Sequence, residues 1–115
     1  DTNAAQIAKA GSLARVALGN YEAVSQRAVR EARIAWIELD SAARLAEQYR
    51  STVLAISERN LTLAEAALKS GQADVTVLLD AQRELVDARR TLSDLERDAA
   101  LARIALEQAV GGKVL

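Results

Sequence analysis

A single apolar stripe constrains this chain more than any other feature. Steps of four and three residues, taken in alternation, lead from Ala4, Ile7, Gly11, Ala14, Leu18 and Tyr21 through Ala35, Leu39, Ala42, Ala46 and Tyr49. They continue to Val53, Ile56, Asn60, Leu63 and Ala67. Apolar residues that recur in heptads make helices supercoil left-handedly about a shared seam. A second seam of the same kind follows: Leu78, Ala81, Leu85, Ala88, Leu92, Leu95, Ala99, Ala102, Leu106 and Ala109. One of its heptad positions is mostly leucine and the other mostly alanine, so neighbouring helix axes can approach closely.

The intervening segment, Ser70 to Asp74, breaks the pattern. Gly71 can take the left-handed conformation that ends a helix, and Asp74 can accept backbone N–H bonds at the start of the next. Gly111 and Gly112 give a second stop signal. The predicted fold is all-α: a long antiparallel helical hairpin with unequal arms, a coiled coil of one domain. Its helices cover about 3–70 and about 75–110, with a turn at 70–74. At 1.5 Å per residue the arms measure roughly 100 and roughly 55 Å. Gly11 and Gly19 weaken the first arm by up to about 1 kcal/mol each relative to alanine, enough for a bend or local fraying.

Composition agrees. The 115 residues contain no Pro, Cys, His, Met or Phe, and half are hydrophobic, mainly Ala, Leu, Val and Ile. A net charge of −1 supplies no electrostatic reason to bind nucleic acid or an anionic membrane. Without His and Cys, the commonest general base, metal ligands and nucleophile pairs are missing, so neither an enzyme nor a cofactor is expected. No apolar run approaches the roughly 18 residues that span a bilayer as a helix.

The long arm has no partner over its first half. Apolar residues such as Leu13, Val16, Val24, Ile34, Ile37, Leu54, Leu61 and Leu68 lie off its seam, as do Leu79, Val86 and Ala100 on the second arm. Helices with apolar flanks on two sides expect neighbours on two sides. An isolated hairpin of this kind is expected to pair into an antiparallel dimer or bundle. Tyr21 and Tyr49 on the seam, and Trp36 beside it, read as packing residues. Asn60 reads as a polar seam residue that sets register.

The segment "LAEAALKSGQADVTVLLDAQRELVDARRTLSDLERDAALARIALEQAVGG" resembles the last helical hairpin of the outer membrane efflux protein family, the TolC-like channels of Gram-negative bacteria. The resemblance is carried by Gly71, Val75, Val77, Leu78, Leu79, Asp80, Ala81 and Gln82, then by Leu106, Ala109 and Gly111. It implies a homotrimeric α-barrel of helical staves hanging from the outer membrane into the periplasm. On that resemblance the chain is expected to be the second-repeat hairpin, excised from such a channel. The turn, Ser70, Gly71, Gln72 and Ala73, falls at the periplasmic tip that docks a periplasmic adaptor protein and, through it, an inner membrane transporter. Asp80 matches an aspartate at the narrow channel entrance. Val77 stands where some members carry a second acid.

Two other readings stay open. Adaptor proteins also contain long helical hairpins, with an Arg-x3-Leu-x6-Ser pattern near the tip that Arg59, Leu63 and Ser70 fit. The third reading is a purely structural coiled coil.

Overall fold

The structure, a computed structural model, describes residues 1–112. Helix α1 runs over Thr2–Tyr49, a π-helical turn over Arg50–Leu54, α2 over Ala55–Lys69 and α3 over Val75–Val110. No strand occurs among the described residues. The first three segments form one arm, and α3 folds back antiparallel against its C-terminal half. The molecule measures 103 × 19 × 16 Å with a radius of gyration of 27.9 Å. A compact domain of this length has a radius near 13 Å. The predicted unequal hairpin is the observed fold, and α1 continues as helix through Gly11 and Gly19.

The core is one thin seam between the arms. On α3 it contains Ala81, Leu85, Ala88, Leu92 and Leu106, all buried, with Leu78, Leu95, Ala99, Ala102 and Ala109 half-buried. That is the predicted stripe without exception. On α1 the stripe also holds from Ala32 to Tyr49, where Ala35 and Ala46 are buried. Alanine against leucine lets the axes approach while still filling the space. Among the described residues no side chain is completely sealed from solvent, as expected for two helices without a third layer.

Beyond Tyr49 the seam departs from the predicted phase. The buried or half-buried residues of the arm are Leu54, Ser57, Leu61, Ala64 and Leu68, with Ala67 at the margin. Val53, Ile56, Asn60 and Leu63 are exposed instead. The π turn is the cause, because it lodges one extra residue and makes the step from Tyr49 to Leu54 five residues rather than four. Everything after it is rotated by about 100° relative to an uninterrupted α-helix. Asn60 therefore sets no register.

The turn sits where local chemistry favours it. Ser51 and Thr52 both donate side-chain hydrogen bonds to the Gln48 carbonyl, at 3.2 and 2.6 Å. Hydroxyls that bond back to the preceding turn loosen the helical ladder. The exchange also favours the core. Uninterrupted heptads would bury the Asn60 amide, whereas the shifted stripe buries Leu61 and the smaller Ser57, which cost less to desolvate. Arg50, at the start of the turn, pairs with Glu47 on its own arm and with Glu96 on α3. Arg89 and Glu58 make a second bridge between arms at 3.7 Å. These pairs are solvent-exposed and add little to stability.

The first part of the long arm has no partner. Every residue from Asp1 to Glu31 is exposed, including Ile7, Leu18 and Tyr21 on the continuing seam and Leu13, Val16 and Val24 beside it. Of the three aromatic residues read as packing groups, Tyr49 is half-buried, while Tyr21 and Trp36 remain 71% and 57% exposed.

Candidate functional site at the hairpin tip

Two backbone motifs back to back build the tip. At the end of α2 the Gln72 N–H donates to the Ala67 carbonyl at 2.9 Å, and the Gly71 N–H to that of Leu68 at 3.1 Å. This is the crossed pair of a Schellman motif, which requires a left-handed residue between. Gly71 supplies it at φ +73°. Nothing lies within 4 Å of where its Cβ would stand, so glycine is required here by the backbone and not by crowding. Ser70 adds a side-chain hydrogen bond to the Ala67 carbonyl at 3.1 Å. Asp74 then caps α3, its carboxylate accepting from the N–H groups of Thr76 at 2.9 Å and Val77 at 3.4 Å.

The turn is thus held by its own hydrogen bonds. Ser70, Gly71 and Gln72 are exposed and Ala73 is half-buried. The result is a blunt, hydrogen-bonded end that is neutral from Ser70 to Ala73.

Asp80 lies apart from that end, in the second turn of α3, about 8 Å along the helix from Val75. It is exposed and pairs weakly with Arg83 at 3.8 Å. Together with Asn60, Leu63, Ala67, Val77 and Glu84 it lines a shallow groove between the arms. Sequence reasoning did not foresee that groove, because Asn60 and Leu63 were placed on the seam. The Asn60 amide was itself the available signal, since it sits uneasily in an apolar seam.

Arg59, Leu63 and Ser70 also come together. Spacings of four and eleven residues place all three on one stripe of the arm's last turns, and all are exposed.

Open grooves lie on both flanks of the hairpin and on the outer face of α3, where Leu79, Arg83, Val86 and Asp87 line one. One flank of the hairpin carries Leu63, Val53, Asp80, Glu84 and Asp87. The other carries Leu39, Arg50, Glu96, Arg103 and Ile104. Hydrogen bonds that the Arg50 guanidinium donates to Glu96 and then to Glu47 raise its pKa above the ordinary arginine value. Among the described residues no group of three or more acidic, His or Cys side chains could hold a metal ion. No described helix is long and apolar enough to cross a membrane.

Compared with known proteins, the chain matches no family model, no curated protein and no solved structure.

Proposed function

We propose that this hairpin is a periplasmic stave of a TolC-like outer membrane efflux channel, and that its Ser70–Ala73 tip docks a periplasmic adaptor protein. One observation carries most weight: the exposed, self-braced turn stands at the far end of a rod whose flanks both expose apolar residues. A rod of this kind is completed by neighbours along its sides, which leaves its end free to meet a partner. The resemblance of residues 64–112 to the last hairpin of that family supplies the identity of the partner. On this reading the chain does no chemistry. Asp80 faces the channel entrance, and the full-length protein is a trimer acting with an adaptor and an inner membrane transporter.

The test separates the two roles of Gly71. In the full-length channel, Gly71→Asn keeps a residue that tolerates positive φ and adds a polar side chain at the contact. The expected result is intact trimers with weakened adaptor binding and reduced efflux. Gln72→Glu and Ala73→Asp should act alike by burying a charge without a partner. Unchanged crosslinking and efflux in all three variants would leave the turn with no docking role.

A second reading has one observation in its favour, the shared stripe of Arg59, Leu63 and Ser70. If the hairpin belongs to an adaptor, Arg59→Ala should abolish capture of a TolC-like channel. If it belongs to the channel, Arg59→Ala leaves adaptor capture at the tip intact.

A further inference from the structure

We infer that the arm beyond Tyr49 has two registers against α3, with the π turn as the joint between them and Asn60 as the residue that holds the chain in the observed one. The two stripes that the arm offers to α3 are matched member for member. The buried stripe is Leu54, Ser57, Leu61, Ala64 and Leu68, and its neighbour is Val53, Ile56, Asn60, Leu63 and Ala67. Each consists of three branched apolar residues, one alanine and one polar residue, and each keeps the three-and-four spacing of a seam. The difference lies in the polar member. A serine hydroxyl costs less to bury than an asparagine amide. Ser57 is accordingly accepted in the seam at 7% exposed, and Asn60 disfavours the second stripe.

The joint is placed so that a change of register disturbs little else. Arg50, Ser51, Thr52 and Val53 are exposed, so closing the π turn into regular α-helix moves only Leu54 out of the seam there. The hydroxyls of Ser51 and Thr52, bonded back to the Gln48 carbonyl, already loosen the backbone ladder at that point. Closing the turn rotates Ala55–Lys69 by about 100° and advances it by about 1.5 Å toward the tip. Arg50 stands ahead of the surplus residue and keeps Glu47 and Glu96, whereas Glu58 leaves Arg89. Gly71 is hydrogen-bonded to Leu68 and moves with the arm, and the link from Gly71 to Asp74 takes up the difference.

Register therefore decides which apolar side chains the arm shows. In the observed register Val53, Ile56 and Leu63 face solvent on one side of the seam. In the second register those three fill the seam, and Leu54, Leu61 and Leu68 face solvent on the opposite side. A molecule that covers either exposed row selects the register that shows it. The inference uses only the chain's own arm and stands whether or not the hairpin belongs to an efflux channel.

The chain has no cysteine, so paired substitutions can read the register as disulfide formation within one chain in a glutathione buffer. Ser57 and Ala88 line one groove between the arms, and Ser57→Cys with Ala88→Cys reports the observed register. Ile56 lies about 100° further round the arm and is 59% exposed, so Ile56→Cys with Ala88→Cys reports the second. Both pairs are expected to close, the Ile56 pair at least about tenfold more slowly. Asn60→Leu should speed the Ile56 pair and slow the Ser57 pair, changing the ratio of the two rates by at least about tenfold. Asn60→Ala replaces it if circular dichroism shows that leucine lowers helix content. Deleting Thr52 removes the surplus residue, and should abolish the Ile56 bridge while sparing the Ser57 one. An Ile56 pair that never closes in the unaltered background would overturn the inference. So would a ratio of rates indifferent to the change at Asn60, or an Ile56 bridge that persists without Thr52, as local fraying alone would give.

Discussion

Leu85 and Leu63 are the same residue type on facing arms, and the fold treats them oppositely. Leu85 is 6% exposed between the arms and Leu63 is 58% exposed on the flank. Truncating Leu85 to alanine should cost about 2–5 kcal/mol, since the removed methyl groups lose their burial and leave a space behind. Leu63→Ala should change stability by less than about 0.5 kcal/mol, as for surface substitutions elsewhere. Urea denaturation of the two variants measures both values. A large loss for Leu63→Ala would mean that the seam keeps its uninterrupted heptad phase past Tyr49. At Gly71 the requirement is the sign of φ, so Gly71→Ala should destabilise the turn by about 1 kcal/mol and Gly71→Asn by less.

At the scale of the elements, most of the fold was legible before any coordinates. The second seam gave α3 its buried face residue by residue, and Gly71, Asp74 and Gly111 marked ends that the backbone then adopted. The π turn was not legible, for a physical reason. After Tyr49 the chain offers two adjacent apolar stripes, Val53-Ile56-Leu63 and Leu54-Leu61-Leu68, each with one polar member. A heptad count follows the first because it assumes that no residue is inserted. The choice depends on packing against α3, where Ser57 and Ala64 permit a closer approach than Asn60 and Leu63. Of the candidate site, the tip could be read from its turn residues, but the groove holding Asp80 depends on the shifted phase and could not. If the turn accommodates one surplus residue, deleting Thr52 should convert it to regular α-helix and preserve the seam. The melting temperature of that variant should stay within a few degrees of the unaltered chain. Deleting Ser41, an exposed residue of α1, displaces Ala42, Ala46 and Tyr49 from the seam and should lower it markedly.

The whole molecule is a rod whose single seam covers only part of its apolar surface. In dilute solution, small-angle scattering should give a radius of gyration near 27.9 Å. A value near 13 Å would mean that the arms had collapsed into a compact domain. The unpaired part of the long arm, the two apolar flanks and the blunt tip are the places where such a rod meets other molecules. The efflux reading assigns the flanks to neighbouring staves and the tip to the adaptor. The most direct measurement of that assignment is photo-crosslinking in cells, with the reactive side chain placed at Gln72 or, for comparison, at Val16 of the full-length channel. The expected result is an adduct with the periplasmic adaptor from Gln72, and adducts only between channel subunits or repeats from Val16. An adaptor adduct from Val16 with none from Gln72 would contradict the claim that the tip is the docking end.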